Sequence, residues 1–137
     1  MSLLDECITA LGDNTTVLSS QETENIFSIF EAQFPITRWA RIDWGKINQK
    51  ITVNSNDEII SYLQHHFTQE DLEEKLYILW NDASLPAVQA KLEQIIRVRD
   101  DVTAVSFDTW IFSLKFKYVI EFYHEGEITI GITVDNN

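Results

Sequence analysis

Two aspartates occupy positions where carboxylates can do chemistry. Asp82 follows the apolar run Leu76–Trp80, and Asp108 interrupts a stretch rich in β-formers, so each lies near the end or a break of a predicted strand. Carboxylates placed in this way can act as general acid and base or hold a divalent ion. Asp82 also has the competing role of capping a following helix. A small hydrolase or isomerase that uses Asp82 and Asp108 therefore stays open as an alternative.

Other catalytic and cofactor chemistries lack the residues they need. His65 and His66 are adjacent and diverge on a helix, while His124 falls in a predicted hairpin turn, so a zinc site is not expected. Cys7 sits on an amphipathic helix with no base beside it, which favours a buried, inert thiol. The four glycines are too scattered for a phosphate-binding loop. We predict no catalytic nucleophile, no metal and no cofactor.

An acid close to a tryptophan is the more informative pattern, and it recurs at three of the four tryptophans. Aromatic rings give large contact area at low entropic cost, and adjacent carboxylates can receive Lys or Arg from a protein partner. Tryptophans in a small domain also anchor the core, so both interpretations remain open. The candidate contact residues are Asp43, Trp44, Asp82, Asp108, Trp110, Glu121 and Tyr123.

The charged connector after the third predicted helix is a second candidate patch. It places four acids within five residues, and such a run either contacts a basic partner or is merely solvated. Its acidic residues are Glu70, Asp71, Glu73 and Glu74.

The net charge of −12 is distributed unevenly, because residues 1–36 hold six of the 22 acids and no Lys or Arg. A negative surface repels phosphates and anionic lipids and attracts basic proteins. We therefore expect a basic protein partner and no nucleic acid, membrane or small-molecule substrate, although acidity can also serve solubility alone. With no secretory signal and no long apolar run, the protein is expected to be cytoplasmic.

Three predicted helices begin with a serine followed three residues later by an acid, the spacing of a capping box. The boxes are Ser2 with Asp5, Ser19 with Glu22 and Ser55 with Glu58, and the helices end at Gly12, at Pro35 and near Phe67.

The remaining segments predict a sheet. Alternation over 37–44 and the short run 51–53 suit strands, and 76–80 suits a strand buried on both faces. Pro86 opens a segment with apolar residues at helical spacing up to Ile96, and β-formers resume at 102–114. This order predicts a βαβ unit with parallel strands.

The carboxy-terminal third predicts an antiparallel meander whose register can be argued. A three-residue turn with a left-handed Gly126 keeps one face apolar and sends Glu121 and Tyr123 to the other face. The predicted pairs are Phe122 with Ile128, Ile120 with Ile130, and Tyr118 with Ile132. We predict a single domain over 1–137, a mixed α/β fold with helices on a sheet of about five strands.

Three stretches resemble bacterial contact-dependent growth inhibition immunity proteins: WARIDWGKI at 39–47, LYILWNDASLPAV at 76–88, and DDVTAVSFDTWIFSL continuing into YVIEFYHEGEITIGI. The likeness covers most of residues 37–132. It implies a small, non-enzymatic cytosolic protein that binds the carboxy-terminal toxin domain delivered by a neighbouring cell and blocks its active site or substrate groove. Such toxins are commonly nucleases, whose basic cleft an acidic protein can occupy. An intracellular adaptor with no toxin partner is a further alternative.

Overall fold

The structure is a computed structural model that describes residues 1–133, and within this part the chain forms one seven-stranded, fully antiparallel sheet. The strands are β1 (Thr16–Val17), β2 (Gln49–Val53), β3 (Lys75–Trp80), β4 (Val88–Lys91), β5 (Thr109–Ser113), β6 (Tyr118–Phe122) and β7 (Ile128–Ile132), in the spatial order β1-β4-β3-β5-β6-β7-β2. The helices are α1 (Leu3–Leu11), α2 (Ser20–Gln33), α3 (Asn56–His66), α4 (Leu92–Arg97) and α5 (Arg99–Thr103), with 3₁₀ turns at Trp44–Lys46 and Asp71–Glu73.

Helices cover both faces of the sheet, which confirms the mixed α/β class. One face packs against α1, α3, α4 and α5. The other packs against α2 and the segment 36–47 that follows it, through an aromatic core that includes Phe30, Phe34 and Phe112. None of the helices among residues 1–133 combines the length and the apolar character needed to cross a bilayer.

The three helix starts predicted from a serine and an acid at capping-box spacing are confirmed. Ser2 with Asp5 and Ser19 with Glu22 form complete capping boxes, each side chain bonding the other residue's backbone N–H. Ser55 Oγ accepts from the Glu58 N–H, but the Glu58 carboxylate accepts from Asn54 instead of Ser55, so the third box is half formed. Local side chains therefore satisfy N–H groups that a helix start leaves unpaired.

The carboxy-terminal meander has the predicted register. Phe122 lies opposite Ile128, Ile120 opposite Ile130 and Tyr118 opposite Ile132. The turn is closed by the Tyr123 N–H donating to the Glu127 carbonyl (3.0 Å), and Gly126 has a φ of 96°. The alternation of apolar residues therefore determined which side chains share a face of the sheet, and both faces of β6 are buried.

The predicted βαβ unit is wrong. Residues 88–91 form β4, which runs antiparallel to β3, and a helix begins only at Leu92. Val88, Ala90 and Leu92 are all buried, so this segment alternates in and out of the core before the chain turns helical. Residues 102–107 lie in the end of α5 and the turn after it, and β5 pairs with β3 antiparallel. Among residues 1–133 the sheet therefore has seven strands and no parallel pair, where about five strands with a parallel pair were expected.

The predicted strand at 37–44 is also wrong. The chain forms a loop closed by a single bridge between Ile36 and Ile42, then a 3₁₀ turn from Trp44. Ala40 has a φ of 61°, which reverses the chain where a strand would stay extended. Tertiary contacts to the buried side chain of Glu121 hold this loop on the sheet.

Candidate protein-binding surface

A buried carboxylate organises the sheet face covered by α2. Glu121 lies on β6, is 1% exposed, and has both carboxylate oxygens occupied. Its Oε2 accepts from the Ile42 N–H (2.7 Å) and from Trp110 Nε1 (3.1 Å). Its Oε1 accepts from Trp44 Nε1 (2.9 Å) and Arg41 Nη2 (3.3 Å). We call these five residues the Glu121 hub; it ties the 36–47 segment to the sheet through charge-assisted bonds.

Trp44 reaches the hub because Gly131 leaves room for its ring. A Cβ built on Gly131 would lie 2.5 Å from Trp44 Cζ3, which is too close for any side chain there. Lys50 Nζ holds the same turn from β2 by donating to the carbonyls of Trp44 (2.7 Å) and Ile47 (2.9 Å). Trp44 is thus seated half-buried against the bare backbone of β7.

A row of stacked side chains runs from the hub onto the surface. The Arg41 guanidinium lies 4.3 Å from the centre of the Tyr123 ring, and the Tyr123 and His124 ring centres are 4.2 Å apart. The Phe107 ring continues the row 6.2 Å beyond His124 and is 83% exposed. We call Arg41, Tyr123, His124 and Phe107 the stacked row. It presents aromatic and cationic groups together, a composition common at protein interfaces.

Asp108 is buried behind the stacked row and bonds to His124. It is 3% exposed, and its Oδ1 accepts from the backbone N–H of His124 (2.9 Å) and lies 3.1 Å from His124 Nδ1. An acid that orients an imidazole is one part of a catalytic triad. Among residues 1–133, however, no hydroxyl or thiol hydrogen-bonds His124. The bond from the His124 backbone N–H to Asp108 ties the hairpin turn to the residue that precedes β5.

Asp82 is engaged separately, in the loop between β3 and β4. Its Oδ1 accepts from Ser84 Oγ (2.6 Å) and from the Ser84 N–H (2.9 Å), and these bonds hold the pKa of Asp82 below its ordinary value. Within the described chain, no group of three or more His, Cys, Asp or Glu residues is arranged to hold a metal ion.

An acidic cleft of about 520 Å³ opens between α2 and the β3–β4 loop. Its lining combines carboxylates with apolar side chains and includes no Lys, Arg or His. The carboxylates are Glu24, Glu31 and Asp82, and the apolar side chains include Phe27, Trp80 and Leu85. A second hollow shares Asn81 and Asp82 with the cleft and extends to Phe107 and His124. The acidic cleft and the stacked row therefore form one continuous surface at this end of the sheet.

The acidic run at 70–74 lies elsewhere. It forms a 3₁₀ turn whose Leu72 is buried in the core on the opposite face of the sheet from the Glu121 hub. The Thr68 hydroxyl and the Asp71 carboxylate cap each other's backbone, and Glu74 pairs with Lys115 (3.0 Å). This patch is therefore separate from the acidic cleft.

The structure brings together most of the candidate contact residues, but these residues differ in how exposed their side chains are. Trp110 and Glu121 are each 1% exposed, so they support the surface from inside. Tyr123 and Trp44 are half-buried, and Asp43 pairs with Lys46 (3.7 Å) at the edge of the hub. Sequence reasoning did not select Arg41, Phe107, His124, Glu24 or Glu31. Only the amino-terminal excess of acids pointed towards the two glutamates of α2.

A family model described as "CdiI immunity protein EcoliA0-like" matches residues 1–131. Comparison with curated proteins gives no match.

Proposed function

The chain belongs to the CdiI immunity protein family, and from this premise we propose that it binds and neutralises the carboxy-terminal toxin domain of a contact-dependent growth inhibition system. We propose further that the toxin is a nuclease and that the acidic cleft covers its basic substrate groove. The complex would form in the cytoplasm, one immunity protein to one toxin, without catalysis by this chain. The observation that carries the proposal is the acidic cleft beside the stacked row.

The charge of the cleft favours this partner. Three carboxylates line one concavity that includes no basic residue, on a protein of net charge −12. A nuclease groove must be positive to hold phosphates, so the two surfaces attract each other and repel their own kind. Attraction between whole surfaces mainly speeds association, and salt weakens it because the Debye length at physiological ionic strength is about 8 Å.

The chemistry of the cleft suits long basic side chains. The aliphatic stem of a Lys or Arg can lie against Phe27 and Leu85 while its charged end meets Glu24, Glu31 or Asp82. The stacked row next to the cleft adds exposed aromatic area, which contributes most where water is excluded. Carboxylates and aromatic rings thus stand side by side on a face whose backbone is held by the Glu121 hub.

The test compares two equal losses of charge. The cleft variant carries Glu24→Gln, Glu31→Gln and Asp82→Asn; the matched control carries Glu70→Gln, Glu73→Gln and Glu74→Gln in the separate acidic run. Each is co-expressed with the toxin domain encoded beside the gene, and growth, co-purification and association rate at low salt are measured. We expect the cleft variant to associate about tenfold or more slowly and to protect cells poorly, and the control to stay within about twofold of wild type.

Three outcomes would contradict the proposal at different levels. Equal slowing by both variants would mean that net charge acts without a defined site. If wild-type protein neither protects cells nor co-purifies with the toxin domain, toxin neutralisation itself fails. Survival without complex formation would likewise argue against stoichiometric inhibition.

A further inference from the structure

One tryptophan is presented to solvent while the other three are held in the fold. Trp39 is 68% exposed, whereas Trp80 and Trp110 are 2% and 1% exposed and Trp44 is half-buried. The Arg38 guanidinium lies 4.9 Å from the centre of the Trp39 ring. Covering so large an apolar ring with a partner would release free energy in proportion to the area buried.

The loop that carries Trp39 is tightly bonded to itself. We call residues 36–42 the Trp39 loop. The Thr37 N–H donates to the Arg41 carbonyl (2.8 Å), and the Ala40 N–H donates to the Thr37 carbonyl (3.0 Å). The Trp39 N–H donates to Thr37 Oγ1 (3.2 Å), and Ala40 is held at a φ of 61°, a conformation unfavourable for a residue with a Cβ. A strained tip of this kind persists only where its surroundings determine it.

The base of the Trp39 loop is anchored in the protein interior. Ile42 is 1% exposed, and its N–H donates to the Glu121 carboxylate (2.7 Å). Arg41 reaches the same carboxylate (3.3 Å), and the Asp43 N–H donates to the Pro35 carbonyl (2.7 Å). The exposed ring therefore sits on a short loop whose two ends are fixed, so binding through it would sacrifice little conformational entropy.

We propose that Trp39 is an anchor that inserts into an apolar pocket of the toxin domain, and that Glu121 is a positioning residue for it. This inference rests on the proposed function. Arg38 is the first basic residue of the chain, and it forms no ion pair among residues 1–133. The pocket that fits this tip is therefore apolar inside and carries a carboxylate at its rim. The acidic cleft then speeds association with the toxin, and the Trp39 loop slows dissociation and contributes specificity.

The decisive variant is Trp39→Ala, matched by Leu3→Ala. Leu3 is also an exposed apolar side chain, 52% exposed, but it lies on α1 at the other face of the sheet. With purified toxin domain and biolayer interferometry, we expect Trp39→Ala to dissociate about 30-fold or more faster while its low-salt association rate and thermal midpoint stay close to wild type. Leu3→Ala should dissociate at the wild-type rate. Trp39→Phe should dissociate faster than wild type but more slowly than Trp39→Ala, since a smaller ring fills part of the pocket.

The dissociation rate of Trp39→Ala also decides whether the anchor proposal fails. If Trp39→Ala releases the toxin within about threefold of the wild-type rate while wild type still binds and protects, this inference fails and the proposed function stands. If wild type does not bind the toxin, the proposed function fails first. Sedimentation that shows a dimer of the free protein, lost in Trp39→Ala, would instead assign the ring to a second copy of the chain.

The role of Glu121 is tested through its coupling to Trp39. We expect Glu121→Gln, measured well below its melting temperature, to speed toxin release in the wild-type background but to add almost nothing to Trp39→Ala. A general loss of stability would not produce this dependence. The indole N–H resonance of Trp39 should also move towards its position in an unstructured peptide. The positioning role would be refuted if the effects of Glu121→Gln and Trp39→Ala on toxin release simply add and the indole N–H resonance of Trp39 does not move.

Discussion

Replacing Glu121 by Gln tests how much of the fold depends on one buried carboxylate. Two donors bond each oxygen: Ile42 N–H and Trp110 Nε1 on Oε2, Trp44 Nε1 and Arg41 on Oε1. A glutamine side chain keeps one oxygen and presents N–H groups in place of the other. We expect the amide nitrogen to take the place of Oε1, because Arg41 can keep its bond to Glu127 and Trp44 is only half-buried.

The loss in the free energy of unfolding follows from the hydrogen-bond donors that Glu121→Gln leaves without an acceptor. Trp44 Nε1 loses its acceptor, which costs about 1–3 kcal/mol, and the bonds to Oε2 lose their charge, which costs about 1 kcal/mol. The neutral amide is cheaper to bury than a carboxylate, which offsets part of this. We expect a net loss of about 2 kcal/mol, to be compared with a total stability of about 5–15 kcal/mol for a domain.

Urea unfolding followed by tryptophan fluorescence measures this loss. With a slope of about 2 kcal/mol per molar urea, the midpoint should fall by about 1 M. The control is Glu127→Gln, which removes the other carboxylate of Arg41; its side chain is 48% exposed, so its loss should stay below about 1 kcal/mol. If the two variants unfold within about 0.25 M urea of each other, the reasoning about the hub is refuted.

Three further predictions concern packing, reactivity and pH. Gly131→Ala should lower the free energy of unfolding by about 1–3 kcal/mol in the same urea assay, because the new methyl group collides with the ring of Trp44; an unchanged midpoint would contradict this close approach. Burial raises the pKa of the Cys7 thiol to about 11, so a disulfide reagent at pH 8 should label the folded protein slowly and the urea-unfolded protein at once; rapid labelling of the native state would contradict a buried thiol. The backbone and side-chain bonds of Ser19 lower the pKa of Glu22 below 4.5, so the stability this cap contributes is present above that value and is lost as the pH falls through the folded pKa. An NMR titration of the folded protein should find Glu22 titrating below 4.5, and a pKa at or above 4.5 would refute the linkage.

Local features of this fold could be predicted because the residues that cause them are neighbours in the chain. A capping box requires a serine and an acid three positions apart, and Ser2 with Asp5 and Ser19 with Glu22 meet that condition without help from the rest of the protein. The β6–β7 register follows in the same way from a period of two and a short turn with Gly126 left-handed. The family resemblance also depended on contiguous stretches of residues.

Segments whose apolar residues fit both a helix and a strand were predicted less well. Val88, Leu92, Ile95 and Ile96 fit a helix, yet Val88, Ala90 and Leu92 also fit a strand. The strand formed over 88–91 because β3 offers an antiparallel neighbour on that side, which local spacing does not reveal. The same limit applies to 37–44, whose alternation resembled a strand but whose conformation is set by the distant carboxylate of Glu121.

By itself the sequence determined the mixed α/β class, the acidic amino-terminal quarter, the first three helix starts and the final hairpin, since each depends on composition or on residues close in the chain. Only the tertiary structure decided which acidic and aromatic residues are exposed. Glu121 and Trp110 belong to the interior because bonds across 79 and 11 positions of the chain enclose them, whereas Trp39 remains outside on a loop that the same carboxylate holds. Exposure is a property of the packed chain, because it depends on which distant segments lie over a side chain.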